Sequence, residues 1–175
     1  MDIKLLVNIA SRAWAFPILW SLHNGTAGRQ APLLVATGAG RTAFTQSMDH
    51  LVEIGMTERN PGHGHPLRPE FRLTKKGKEV AAIANQIKTA VDDSEHEVIR
   101  RAWTLPILAE LKAPRHFNEL KRHLPSITDR ALSQALKSME ELDWVNRTVD
   151  VSSRPPRTAY VAISTGKIVC EILQS

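Results

Sequence analysis

The sequence predicts a mainly α-helical fold with small β-hairpins, an α+β class in which two copies of one unit follow each other, joined by a helix. Three observations predict it. Residues 12–22 read R-A-W-A-F-P-I-L-W-S-L and residues 101–111 read R-A-W-T-L-P-I-L-A-E-L, so the chain contains an internal repeat. Apolar residues recur at helical spacing through both copies. After its last periodic segment, each copy runs into a turn-rich stretch of hairpin type. The expected division is 1–92 for a first, diverged copy with its connecting helix and 93–175 for the second.

The first copy opens on Ile3, Leu6, Val7 and Ala10, which follow the i, i+3, i+4, i+7 rule of an amphipathic helix. Pro17 lies three residues after Trp14. Proline is tolerated in the first turn of a helix and not in its interior, so a new helix is expected near Ala15. Leu33, Leu34 and Val35 supply a short buried helix, and Gly38 with Gly40 makes a turn. A third helix, R-T-A-F-T-Q-S-M-D-H-L, exposes Arg41, Thr42, Thr45, Gln46 and Asp49. The stretch N-P-G-H-G-H-P-L-R-P reads as a hairpin with Arg59, Arg68 and Arg72 nearby. Val80, Ile83, Ala84, Ile87 and Val91 then form an apolar stripe on a helix of roughly sixteen residues, ending near Asp92-Asp93 and leaving no flexible linker.

In the second copy Ser94 and Glu97 have capping-box spacing ahead of Val98 and Ile99, and Pro106 after Trp103 predicts a helix start near Thr104. Phe117, Leu120 and Leu124, then Leu132, Leu136, Met139 and Leu142, place two amphipathic helices on either side of a turn at Pro125-Ser126-Ile127. Thr128 stands where an N-cap belongs, and Asp129 suits the positive end of a helix. Val145, Val149 and Val151 alternate with polar residues, Ser152-Ser153-Arg154-Pro155-Pro156 turns, and Tyr160-Val161-Ala162-Ile163 returns as a strand. At an offset of 89, Trp14 falls on Trp103, Phe71 on Tyr160 and Gly77 on Gly166. At 88, Phe44 falls on Leu132, Gln46 on Gln134, Ile54 on Leu142 and Arg59 on Arg147.

Trp103, Ile107-Leu108, Leu111, Phe117-Asn118-Glu119-Leu120, Ile127, Leu132-Ser133, Leu136, Leu142, Val145, Arg147, Pro156, Tyr160 and Gly166, in this order, resemble the HxlR family of bacterial winged helix-turn-helix transcription regulators. The resemblance covers the second half well. In the first half G-R-Q-A-P-L-L-V-A-T-G-A-G replaces R-H-F-N-E-L-K-R-H-L, so the pattern is degraded there. The resemblance implies two winged helix-turn-helix units that bind double-stranded DNA and regulate transcription, as a repressor or local regulator, in the cytoplasm at the nucleoid. Recognition helices centred near Thr45 and Ser133 would enter major grooves, about 34 Å apart if the copies obey a pseudo-twofold axis. Terminal helices supply the dimer contacts in such regulators, so the resemblance also implies one chain that imitates a dimer. Further homodimerisation and any effector ligand stay open.

On this reading Arg130 and Gln134 are candidates for base edges, with Ser133 beside them, and Lys137, Lys121 and Arg122 for the phosphate backbone. Arg154 and Arg157 are candidates for wing contacts. Arg41, Thr42, Thr45, Gln46 and Arg68 retain reading potential in the first copy. Taken alone the face of Arg130, Ser133, Gln134 and Lys137 reads as an ordinary solvated surface; its place in the repeated unit favours DNA, and wing contact is likewise favoured over a hairpin merely kept soluble. Arg147 is open between DNA contact and pairing with Glu140 or Glu141.

Composition narrows the alternatives. The 175 residues, 42% hydrophobic, hold one ordinary domain or two small ones, and a net charge of +5 suits an acidic partner. No run of about eighteen apolar residues is present and the N-terminus lacks a secretory pattern, so no membrane association is expected. The single cysteine, Cys170, excludes an intrachain disulfide and falls on an apolar helix face as a packing residue. His63 and His65 flank Gly64 without a third ligand at suitable spacing, so neither a metal nor any cofactor is expected. Trp14 and Trp103 read as core residues of two like folds. No phosphate loop, nucleophile elbow or paired histidine-carboxylate motif occurs, which argues against an enzyme. The rival class is a tandem winged-helix module that grips a protein partner; it does not require clustered arginine and lysine on the third helices and wings.

Overall fold

The computed structural model describes residues 1–60, 70–124, 126–151 and 156–175. They form two compact units, one of Arg12–His96 and one of Met1–Ser11 with Glu97–Ser175. The first helix, α1 (Ile3–Ala10), is capped by Asp2, whose carboxylate accepts from the Leu5 amide at 3.0 Å. Its buried side, Leu6, Ile9 and Ala10, packs on α7 (Thr104–Glu110), and the Met1 amine donates to the Leu173 carbonyl at 2.8 Å.

In the Arg12–His96 unit, α2 (Ala15–His23) begins at the residue the proline predicts and packs along α5 (Lys75–Ala90), the expected sixteen-residue helix. Between them lie α3 (Gln30–Thr37), α4 (Arg41–Glu53) and the antiparallel strands β1 (Thr57–Arg59) and β2 (Phe71–Leu73). Its core includes Ile18, Leu19, Leu33, Phe44, Leu51, Met56 and Ile87. The unit closes on His96, whose ring sits 5.5 Å from that of Trp20 and whose Nε2 lies 3.1 Å from the Val91 carbonyl. Ser94 is not the cap its spacing suggests: it falls inside a 3-10 turn, Asp93–Glu95, that follows Asp92 without any side-chain cap. Such a turn shifts the start of the short α6 (His96–Ile99) past the position where a serine hydroxyl would serve it.

The other unit adds to α1 and α7 the strand β3 (Arg115–His116), α8 (Phe117–His123), α9 (Asp129–Glu141), β4 (Val145–Asp150), β5 (Arg157–Ala162) and α10 (Ser164–Gln174). The sheet is antiparallel in the order β3-β5-β4, with Arg147 opposite Tyr160 and Arg115 opposite the same Tyr160 on the other side. The two-residue β3 carries no sequence signal; its counterpart in the first unit is a single bridge between Arg29 and Glu70. Trp144, 1% exposed, Leu132, Leu136 and Met139 fill the core. Trp14 and Trp103, by contrast, are half-buried at the entrances of α2 and α7, so they are edge residues and not core residues.

One contact occurs in both units. The Gly166 Cα position faces the Trp144 carbonyl so closely that an added Cβ would lie 2.2 Å from its oxygen, and Gly77 stands likewise against the Met56 carbonyl at 1.8 Å. The same two carbonyls accept from Ile163 and Thr74 at 2.8 and 3.1 Å. In each unit glycine thus lets the last helix lie on the residue that opens the wing.

Candidate nucleic-acid interface

The site is built on α8 and α9. The first turn of α8 carries Glu119, whose Oε2 accepts from the His116 amide at 2.8 Å; that hydrogen bond is the main cause holding its carboxyl below the ordinary 4.5. Ile127, 5% exposed, anchors the turn, and Ser126 takes a left-handed φ of 73° to make it tight. α9 then begins as expected: the Thr128 hydroxyl accepts from the Ala131 amide at 3.2 Å, and Asp129 occupies the first turn.

With Leu132, Leu136 and Met139 turned into the core, the helical period leaves Arg130, Ser133, Gln134 and Lys137 exposed. The helix thus presents two cations, an amide and a hydroxyl to solvent, the donor and acceptor types that base edges and phosphates accept. Lys121 is exposed and ion-paired with Asp129 at 2.5 Å, and Lys137 lies 3.9 Å from Glu141. Pairs this exposed are weak, so both amines remain available to a polyanion. Glu141 has taken Lys137 as its partner, not Arg147, which stays exposed in β4.

Arg122 and Arg157, distant in sequence, line one groove of about 600 Å³ with His116, Asn118, Glu119 and Thr158. The Arg122 Nε is oriented by donation to the Asn118 carbonyl at 3.3 Å. A second hollow, of about 490 Å³, runs beside α9 between Gln134, Ser138, Trp103 and Arg101. Arg101 donates to the Ser138 hydroxyl at 2.9 Å and pairs with Glu97 at 3.8 Å, fixing the flank of α9. The repeated R-A-W is the sequence signal that marks this arginine.

In the Arg12–His96 unit, Arg41, Thr42, Thr45 and Gln46 are all exposed on α4. The Thr45 hydroxyl is engaged locally, donating to the Arg41 carbonyl at 3.0 Å. A hollow of about 170 Å³ joins Thr45, Asp49, Arg59 and Gln30 above Phe44 and Phe71. Arg68 and Arg154, expected on the wings, lie outside the described residues, as do His63 and His65. Among the described residues no group of three metal-ligating side chains assembles, and no single helix is long and apolar enough to cross a membrane. Cys170 is buried on α10, 2% exposed, and burial raises its thiol above the ordinary 9.0, the state of a packing residue.

The HxlR-like helix-turn-helix family matches the sequence twice, over residues 9–97 and 98–175. An uncharacterized HTH-type transcriptional regulator of Methanothermobacter thermautotrophicus is 35% identical over 74 residues, covering 42% of this chain and 56% of that protein. The uncharacterized HTH-type transcriptional regulator YkvN of Bacillus subtilis is 33% identical over 79 residues, covering 45% of this chain and 66% of that protein. Thus the alignments span 56% and 66% of these relatives' lengths. With both of its repeats matched, the chain belongs to the HxlR-like helix-turn-helix family.

Proposed function

We propose that the chain is a sequence-specific double-stranded DNA-binding transcription regulator, a repressor or local regulator of the cytoplasm, in which one polypeptide does the work of a dimer of its family. The observation that carries the proposal is the exposed row Arg130, Ser133, Gln134 and Lys137 on a helix whose opposite side is fully committed to the core. Arg130 and Gln134 read base edges, Ser133 lies between them, and Lys121, Arg122 and Lys137 hold phosphates. Arg157 brings the wing to the backbone beside Arg122. Arg41, Thr42, Thr45 and Gln46 offer a second reading helix, so the preferred duplex contains two unlike half-sites. The family and the printed descriptions of its two relatives support this reading.

Selection of bound duplexes from a random pool tests it. Arg130→Ala should relax preference at one position by about 1–3 kcal/mol, whereas Lys137→Ala should weaken every sequence alike and lower the salt slope by about one. Salt-dependent binding without sequence enrichment would refute the sequence specificity, and absence of any salt slope would favour a winged-helix module that grips a protein.

A further inference from the structure

The two helix-turn-helix pairs differ in what they offer a phosphate backbone. α3 aligns with α8 through their fully buried leucines, Leu33 and Leu120, both 0% exposed, and the thirteen-residue helices α4 and α9 align end to end. In that register Lys121 and Arg122 correspond to Leu34 and Val35, and Lys137 corresponds to Asp49. Val35 is 86% exposed, so an apolar side chain occupies a solvent position that carries a guanidinium in the other copy. No charged residue occurs between Gln30 and Gly40, and Arg41 is the sole lysine or arginine of α4. The base-reading positions are treated differently: Gln134 corresponds to Gln46, Ser133 to Thr45 and Arg130 to Thr42, and all six are exposed, so hydrogen-bonding side chains recur there although the arginine does not. Of the other cations of the Arg12–His96 unit, Arg29 stands at the N-cap of α3, while Arg59, Arg72 and Lys75 sit in β1, β2 and the start of α5, outside the helix-turn-helix pair.

Taking the DNA-binding reading above as its premise, we infer that duplex DNA is gripped through one half of the chain. The α8–α9 pair supplies the phosphate contacts of the helix-turn-helix elements. The α3–α4 pair meets DNA with hydrogen-bonding side chains and almost no electrostatic hold, so one half-site is bound strongly and the other is only inspected. A duplex carrying a single half-site is then retained with most of the affinity.

Full-length protein is titrated with mixed-sequence duplex DNA between about 50 and 200 mM salt, the range over which counterion release is read. Lys121→Ala/Arg122→Ala/Lys137→Ala should flatten the logarithmic salt slope by about 2.7, at about 0.9 per phosphate, and Arg41→Ala by less than about one. Installing cations in the other copy, as Val35→Arg/Asp49→Lys, should steepen the slope by about 1.8. All six positions are exposed, and circular dichroism melts check that each variant remains folded. If Arg41→Ala flattens the slope as much as the triple variant does, the two halves grip equally; if the added cations leave it unchanged, the α3–α4 pair does not approach the backbone; either result overturns the inference. A native chain with no salt-dependent DNA binding would overturn the DNA-binding reading itself, and this inference with it.

Discussion

Gly166→Ala is the substitution for which the structure and helix propensity give opposite signs. Residue 166 lies in the first turn of α10, where alanine is ordinarily better than glycine by about 1 kcal/mol. The added Cβ, however, would stand 2.2 Å from the Trp144 oxygen and 2.9 Å from its carbonyl carbon, whereas real Cβ contacts essentially never fall under 3.0 Å. The obstacle is backbone, so no side chain can swing away; α10 or the start of β4 must move by about 0.8 Å. Overpacking of this kind costs about 1–3 kcal/mol, and straining the Ile163 amide bond to the same oxygen adds about 1 kcal/mol. The net expectation is a loss of about 1–3 kcal/mol, which for a unit of this size lowers Tm by about 4–8 °C per kcal/mol. Because Trp144 opens β4, DNA binding should weaken with stability. Gly77→Ala, facing Met56 O at 1.8 Å, should behave alike or worse. Thermal melts followed by circular dichroism decide the matter. A Tm at or above that of the native chain would mean that propensity wins and that the close approach of helix to wing is absent.

Three further outcomes follow from the packing and the titrating groups. Leu6→Ala, at a fully buried position of α1, should cost about 2–5 kcal/mol and expose the amides of α7 and α10 to hydrogen exchange; loss of protection confined to α2 and α5 would contradict the placement of α1. Glu119, held below 4.5 by the His116 amide, should contribute helix stability above that value and lose it as pH falls through the lower folded value. The His116 amide shift followed by NMR should report this, and Glu119→Gln should abolish the titration. Cys170, raised above 9.0 by burial and further by Glu171 against the pull of Lys112, should stay protonated and resist alkylation at neutral pH until the chain is unfolded. Rapid labelling of the folded protein would show that α10 opens locally.

Helix starts were the most legible part of the sequence, because each has a local physical cause. Pro17 and Pro106 set α2 and α7 at Ala15 and Thr104, and the Thr128 hydroxyl sets α9. What the apolar stripes could not convey is the partner each stripe covers. The pattern of α1 is as clear as any in the chain, yet nothing in it says that its buried side belongs with α7. The brief β3 strand escaped for another reason: two residues are too few to show a period, and its pairing is set by β5. The exposed rows on α4 and α9 were legible as the complement of the core positions, while Arg101 was not, since its tie to Ser138 spans 37 residues.

The two copies have kept different things, and the difference separates what folding demands from what binding demands. Each unit must bring its last helix onto its wing, and that requirement admits no sharing: Gly77 cannot relieve a clash at Gly166. The contact therefore occurs twice. Phosphate neutralisation is another kind of quantity, because counterion release adds over all contacts the chain makes, wherever they sit. Once Lys121, Arg122 and Lys137 are present on one helix pair, cations at Leu34, Val35 and Asp49 increase a total and restore nothing that is missing. Base reading is again local, since a side chain discriminates only the pair it touches. On this logic Gln46 beside Asp49 is no inconsistency: an amide can serve only its own half-site, while a cation at 49 would only add to a total that Lys121, Arg122 and Lys137 already supply.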